Sequence, residues 1–187
     1  MSRRRGRWVL VLCLVVTAGC LGGVSDAPPE TTPTAAETGT TARVTDVVDG
    51  DTVDVRFPDG REDTVRLLGV DTPEVHVETD PVEFEGVPET TAGRACLRRY
   101  GERASEYATA TLAGQRVTLR FDAAAGRRGG YDRLLAYVVI DGRSFNAALL
   151  GRGYARLYDS AFRERDRYAA LERDAREAGR GVWSCAV

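Results

Sequence analysis

Three short segments of the chain place carboxylates and arginines at spacings that suit chemistry on a phosphate group. Their sequences are DGDT at residues 49–52, RLLGVDTPE at residues 66–74 and YDR at residues 131–133. Carboxylate and carbonyl oxygens are the hard ligands that Ca²⁺ accepts, and guanidinium forks match phosphate oxygens two at a time. The three segments together predict metal-assisted phosphoryl chemistry with water as the nucleophile. A structural network of salt bridges is the alternative, and any one segment alone would favour it.

The first segment is only partly explained by a turn. Asp49 and Gly50 form a common hairpin signal. Asp51 is not explained in this way, since another turn-forming residue would serve equally well there. Asp51 is therefore a candidate functional residue.

The second segment contains an arginine that a strand would hold against apolar neighbours. Because side chains alternate along a strand, Arg66 shares a face with Leu68 and Val70, and we expect that face to be partly buried. An unpaired guanidinium there would be costly, so Arg66 is expected to meet acidic partners or an anionic ligand. Asp71 and Glu74 follow at the end of this strand.

The elements that must position these residues follow from the spacing of apolar residues and turns. Alternating or β-branched runs predict five strands, at residues 44–49, 52–57, 64–70, 115–121 and 134–140. Helical spacing and glycine stops predict three helices, at residues 102–113, 144–150 and 161–178. Short strands that meander through tight turns favour a mainly β fold with α, a closed Greek-key barrel capped by the helices.

Taken in order, the motifs closely resemble the staphylococcal nuclease (thermonuclease) family. They are VDGDT at residues 48–52, RLLGVDTPE at residues 66–74 and YDRLLAY at residues 131–137, and the likeness covers residues 42–184. The resemblance implies a five-stranded OB-fold barrel with three helices, in agreement with the pattern of elements. It also implies cleavage of DNA and RNA with little sequence preference, by hydrolysis of the P–O5′ bond to leave 3′-phosphate ends.

The resemblance implies a Ca²⁺ site. Asp51 and Asp71 would be its carboxylate ligands, and Thr72 would offer its backbone carbonyl. These are hard oxygen donors of the kind that Ca²⁺ prefers.

The resemblance also implies three catalytic residues. Glu74 would orient or deprotonate the attacking water, and Arg66 and Arg133 would grip the phosphate. A dianionic transition state gains more from two guanidinium groups and a divalent cation than the monoanionic ground state does.

Substrate contacts are expected around the third segment. Tyr131 matches a family residue near the bound nucleotide, and Arg127 and Arg128 lie in the basic, glycine-rich loop just before it. At molar salt the Debye length is only about 3 Å, so substrate capture would depend on such short-range contacts.

The chain departs from the family pattern in two places. Asp132 replaces the glycine that usually precedes the catalytic arginine, and it could steer Arg133 or weaken its contact with phosphate. The stretch at residues 75–99 is longer than in the type enzyme and is rich in acidic residues. We expect it to be a surface insertion adapted to high salt, with an active-site lid or a second cation site as alternatives. His76, within this stretch, is expected to be a loop residue rather than a general base.

The cysteines bear on the compartment in which the protein works. Cys96 and Cys185 lie in the domain that would remain after export, and a pair of this kind favours a disulfide. Two free, buried thiols are the alternative.

The N-terminus has the pattern of an export signal. Residues 1–19 combine four arginines with an apolar run that is too short to span a bilayer as a helix. Residues 17–20 (TAGC) resemble a lipobox, in which Cys20 would be cut free and acylated; an ordinary signal peptide with an incidental cysteine is the alternative. Residues 20–41 are rich in threonine and proline and are expected to be a flexible linker to a domain at residues 42–187.

Composition limits the remaining possibilities. The chain has 187 residues, enough for one domain with a real core, and all 26 basic residues are arginines. Removing the four arginines of the signal leaves 22 basic against 28 acidic residues, a formal charge of about −6. An acidic, lysine-free surface indicates adaptation to high salt, although a GC-rich genome also replaces lysine by arginine. The net charge argues against general polyanion binding, so any nucleic-acid function must come from a local site.

These observations predict an exported, Ca²⁺-dependent nuclease that acts on DNA and RNA. It would be a monomer, held at the cell surface by a lipid anchor in the membrane. The alternative is a non-catalytic OB-fold lipoprotein that binds nucleic acid or a protein partner. Such degenerate relatives lose the charged set, which is complete here.

Overall fold

The computed structural model describes residues 39–186. The predicted signal peptide, Cys20 and residues 21–38 of the predicted linker lie outside the described residues. The first strand begins at Thr40, two residues before the predicted start of the domain.

Five strands of the described chain form a barrel. They are β1 (Thr40–Val47), β2 (Thr52–Arg56), β3 (Glu62–Leu67), β5 (Arg116–Arg120) and β6 (Leu134–Ile140). Three two-residue strands are β4 (Val70–Asp71), β7 (Arg143–Ser144) and β8 (Arg156–Leu157); β7 pairs antiparallel with β6, and β4 pairs with β8.

The barrel closes through one parallel pairing. The antiparallel strand order is β3-β2-β1-β5-β6, and β3 also pairs in parallel with β6. Alternate side chains of these strands fill the interior, among them Val44, Val55, Val65 and Leu119, each almost completely buried. The predicted five-stranded OB-fold barrel with three helices is therefore confirmed.

The first helix, α1, covers Thr91–Leu112, so the prediction that it starts at residue 102 is wrong. The N-cap of α1 is Thr90, whose hydroxyl accepts the N–H of Gly93. The buried face includes the glycines Gly93 and Gly101, at each of which another backbone carbonyl comes too close for a Cβ. Glycine is a poor helix former, so the sequence pattern concealed this part of the helix.

The other two helices match the predicted segments with shifted ends. Helix α2 covers Phe145–Arg152, and the Ser144 hydroxyl caps it by accepting the N–H of Ala147. Helix α3 covers Arg165–Glu177, four residues shorter at its start than predicted. Asn146 on α2 is fully buried and donates to the carbonyls of Leu68 and Ala136, which fixes the end of β3 against β6.

A second, smaller core lies beside the barrel. A disulfide joins Cys96 on α1 to Cys185, and the apolar residues around it include Phe84, Val87 and Trp183. Because Phe84 and Val87 are buried, the prediction that residues 75–99 form only a surface insertion is wrong. Cys96 lies within α1, in the part of the helix that precedes the predicted start at residue 102.

Within residues 39–186, no helix combines the length and apolar character needed to cross a membrane.

Candidate active site

A cavity of about 390 Å³ opens at the rim of the barrel. Five residues that the sequence singled out line it, namely Asp51, Arg66, Asp71, Glu74 and Arg133. The structure therefore brings together residues from all three motifs.

Strand register explains why these residues meet. Arg66 on β3 lies opposite Thr52 on β2, next to Asp51 in the sequence. On its other side, Arg66 lies opposite Leu135 on β6, two residues after Arg133. The strand that carries Arg66 thus lies between the strands that carry the other two motifs.

Arg66 joins the two aspartates of the cavity. Its guanidinium lies 3.1 Å from Oδ1 of Asp51 and donates at 2.5 Å to Oδ1 of Asp71. It also donates to the carbonyl of Val70 at 2.7 Å. The side chain is 15% exposed, so this half-buried cation has the acidic partners that its position requires.

Asp51 is buried and bound on both oxygens. Its Oδ2 accepts the backbone N–H of Thr72 at 2.7 Å and the Thr72 hydroxyl at 3.1 Å. Burial raises the pKa of Asp51 to about 7, and the charge of Arg66 opposes that shift. A desolvated carboxylate of this kind would be stabilised by a nearby cation.

Asp71 lies between two arginines. Its Oδ2 is 2.6 Å from the guanidinium of Arg156, which faces it across the pairing of β4 with β8. Burial raises the pKa of Asp71, while Arg66 and Arg156 oppose the increase. Sequence reasoning missed Arg156, because only the antiparallel pairing of two distant two-residue strands places it here.

Glu74 presents a carboxylate that makes no hydrogen bond or ion pair with any described residue. Burial raises its pKa, and the nearby charges of Asp49 and Asp71 raise it further. An uncommitted carboxylate with a raised pKa suits a general base.

Arg133 also faces the cavity without an acidic partner among residues 39–186. It donates to the carbonyl of Gly130 at 3.3 Å and to the Thr52 hydroxyl at 3.5 Å. Asp132 pairs with Arg128 at 3.6 Å rather than with Arg133, and its influence on the phosphate contact of Arg133 stays a prediction. Asp132 has φ of 58°, a left-handed conformation that favours glycine and that aspartate tolerates.

Three predicted substrate contacts lie outside the cavity lining. Arg127 stacks on Phe121, with its guanidinium carbon 3.3 Å from the ring centroid. Arg128 makes two hydrogen bonds to Asp63, at 3.0 and 2.7 Å. Tyr131 is 95% exposed, beneath the guanidinium of Arg133 at 5.5 Å. The substrate-binding roles of these three residues stay predictions.

Other residues line the cavity without having been predicted. Asp49, assigned only to a turn by its sequence, faces the cavity and accepts the N–H of Asp51 at 3.0 Å. Tyr158 and Ser160, which follow β8 in the sequence, also line the cavity. His76 lies outside the lining and contacts the carbonyl of Val48 at 3.2 Å, in keeping with a loop role.

The donors of the cavity fit a hard cation by their chemistry. Asp51 and Asp71 supply carboxylate oxygens; each oxygen of Asp71 contacts one arginine, whereas each oxygen of Asp51 already has two protein donors. Ca²⁺ takes six to eight oxygen ligands and accepts waters among them. Among residues 39–186, however, no three acidic, histidine or cysteine side chains converge closely enough to hold a metal by themselves. The assignment of Asp51, Asp71 and Thr72 as metal ligands therefore stays a prediction.

Comparison with known proteins assigns the chain to a family. Residues 64–185 match the family described as Staphylococcal nuclease homologue. The thermonuclease of Staphylococcus hyicus is 32% identical over 146 residues, which are 77% of this chain and 76% of that protein. An uncharacterized protein of Methanocaldococcus jannaschii is 39% identical over 149 residues, 76% of this chain and 70% of that protein. The endonuclease YncB of Bacillus subtilis is 35% identical over 140 residues, and the match spans 58% of its length.

Fold and cavity together define a small OB-fold protein with an arginine–carboxylate site at the barrel rim. With the matches above, the chain belongs to the staphylococcal nuclease homologue family.

Proposed function

We propose that this protein is a Ca²⁺-dependent nuclease that hydrolyses phosphodiester bonds of DNA and RNA with low sequence specificity and leaves 3′-phosphate ends. The observation that carries the proposal is the shared cavity, in which two guanidinium groups and the uncommitted Glu74 carboxylate face the same space. The names of relatives such as the thermonuclease of Staphylococcus hyicus support it.

In the proposed reaction, Glu74 takes a proton from a water molecule that attacks phosphorus. The P–O5′ bond breaks, the leaving 5′ oxygen takes a proton from solvent water, the phosphate stays on the 3′ oxygen, and Glu74 returns its proton to solvent. Arg66 and Arg133 would bind the non-bridging oxygens, where negative charge increases in the transition state. Arg133 is suited to this because no described carboxylate competes for it.

Asp51, Asp71 and the carbonyl of Thr72 would hold Ca²⁺. The cation would supply positive charge against the phosphate and would offset the repulsion between the two buried aspartates. Arg66, which contacts both aspartates, opposes the rise in their pKa values and holds the two carboxylates in place.

The direct test uses the full chain with plasmid DNA and with RNA, in Ca²⁺ and in EGTA, followed by analysis of the ends. We expect cleavage in Ca²⁺ only, with 3′-phosphate products. Arg66→Ala, Glu74→Gln and Arg133→Ala should each reduce the rate by about 10²-fold or more. Arg143→Ala is the matched control, since Arg143 is exposed beyond the far end of β6. Full activity in the three site variants would overturn the proposal, and EGTA-resistant binding of DNA without cleavage would favour a binding module.

We further propose that the protein is exported and anchored to the membrane by a lipid on Cys20. The support is the pattern of residues 1–20, a basic start, an apolar run and TAGC. Detergent phase partition of cell extracts tests it, with Cys20→Ala as the comparison. Recovery of both proteins in the aqueous phase would overturn the anchor.

A further inference from the structure

The position of the Glu74 carboxylate depends on its backbone, because the carboxylate itself has no partner in the described chain. The backbone is held at three consecutive residues. Thr72 donates its N–H to Asp51 at 2.7 Å. The carbonyl of Pro73 lies against Gly101, where a Cβ would come within 2.4 Å of its oxygen. Glu74 donates its own N–H to the hydroxyl of Thr79 at 2.7 Å.

Thr79 belongs to the acidic stretch at residues 75–99, and it is buried there. Its neighbours at residues 76–78 and Asp80 are exposed, whereas Thr79 is 7% exposed. The stretch is fixed on either side of Thr79. Glu78 pairs with Arg94 at 2.9 Å, and Asp80 caps the short helix that leads to the buried Phe84.

We propose that Thr79 is a positioning residue for Glu74, and the proposal rests on the proposed function of Glu74 as the base. The hydroxyl of Thr79 accepts the Glu74 N–H and so sets the direction in which the carboxylate enters the cavity. The segment that carries Thr79 is anchored in the second core. The hydroxyl that accepts the Glu74 N–H is therefore held independently of the barrel rim. A displacement of about 1 Å at a reacting group can cost about 10²-fold in rate.

A matched control lies in the same part of the chain. The hydroxyl of Thr90 also accepts a backbone N–H, that of Gly93 at 3.1 Å, but it caps α1 and does not line the cavity. Thr90→Val removes the same kind of hydrogen bond as Thr79→Val. It should therefore lower stability without moving Glu74.

The test compares Thr79→Val, Thr79→Ser and Thr90→Val in the full chain. The measurements are kcat and KM on a single-stranded oligonucleotide in Ca²⁺, the melting temperature, and the hydrogen-exchange rate of the Glu74 amide. We expect Thr79→Val to lower kcat by about 10- to 10²-fold with KM nearly unchanged, and to speed exchange at Glu74. Thr79→Ser, which keeps the hydroxyl, should restore most of kcat, and Thr90→Val should lower the melting temperature with kcat unchanged.

Two results would overturn the inference, namely an unchanged kcat in Thr79→Val, or an equal loss of kcat in Thr79→Val and Thr90→Val. A wild-type chain that cleaves no nucleic acid would instead overturn the proposed function. The two failures are therefore distinguishable.

Discussion

Arg66 and Leu135 are parallel neighbours on β3 and β6, in the pairing that closes the barrel. This single register places Arg133, two residues before Leu135, at the same cavity as Arg66. Of the two arginines, Arg66 is bound to Asp51 and Asp71, whereas Arg133 donates to a carbonyl and a hydroxyl and has no acidic partner among the described residues. Barrel closure thus supplies one guanidinium committed to the carboxylates and one available to an anionic ligand.

The pH dependence of cleavage should respond to Asp49. Its charge raises the pKa of Glu74, after burial, so the acidic limb of the rate profile should lie above the ordinary value of 4.5 for glutamate. Asp49→Asn keeps an oxygen to accept the N–H of Asp51 but removes the charge. We expect the acidic limb of kcat to move to lower pH in this variant, and to stay in place in Asp174→Asn, an exposed change on α3. An unmoved limb in Asp49→Asn would contradict the assigned coupling.

Two glycine-to-alanine changes in helices should have opposite effects. Gly101→Ala puts a Cβ 2.4 Å from the carbonyl oxygen of Pro73. That is closer than van der Waals contact allows, so the loop before Glu74 must shift. We expect a loss of about 1–3 kcal/mol in unfolding free energy, together with reduced cleavage. Gly151→Ala meets only Leu171 at 4.0 Å and should stabilise the protein by up to about 1 kcal/mol. Urea unfolding measures both changes in unfolding free energy. A change of the same sign in the two variants would contradict the close approach at Gly101.

Removing the disulfide should destabilise the chain without altering the cavity directly. Cys96 and Cys185 are separated by 89 residues, and a loop of that length corresponds to about 4.6 kcal/mol of stabilisation through the unfolded chain. We expect a Cys96→Ala, Cys185→Ala variant to lose about that much in denaturant unfolding. A thiol reductant should lower the stability of the wild type and leave the variant unchanged. Equal stability of the two proteins under oxidising conditions would contradict this.

Stability at acidic pH should depend on Asp122. Its burial alone would raise the pKa, but hydrogen bonds from the Tyr137 hydroxyl and the N–H groups of Arg163 and Ala124 hold the pKa below its usual range. A lowered folded-state pKa gives stability that is present above the unfolded value of 3.8 and is lost as pH falls through the folded value.

Asp122→Asn tests this linkage. We expect the variant to be less stable than wild type by about 3 kcal/mol at pH 7, because charged acceptors bind donors more strongly than an amide does. The difference should shrink as pH falls below 3.8. Guanidinium unfolding from pH 7 down to pH 2 measures it, and a difference independent of pH would count against the linkage.

Much of this protein follows from local patterns in its sequence. Alternation and turn signals predict the five barrel strands, since a strand needs only a period of two and a break at each end. Spacing within each motif likewise identifies Asp51, Arg66, Asp71, Glu74 and Arg133, all of which line one cavity. A local pattern is enough for these features because each motif lies at the end of a strand that the same pattern defines.

Other features were decided only by the tertiary structure. Arg156 meets Asp71, and Thr79 meets Glu74, through surfaces that no local spacing describes. The early start of α1 includes Gly93 and Gly101, each of which lies against the backbone carbonyl of another segment. Arg128 donates to Asp63, a residue far from it in the sequence. In each case the local sequence pattern of the two segments gives no indication that they are in contact. Only packing, which brings backbone and charge together across long separations in sequence, could select these partners.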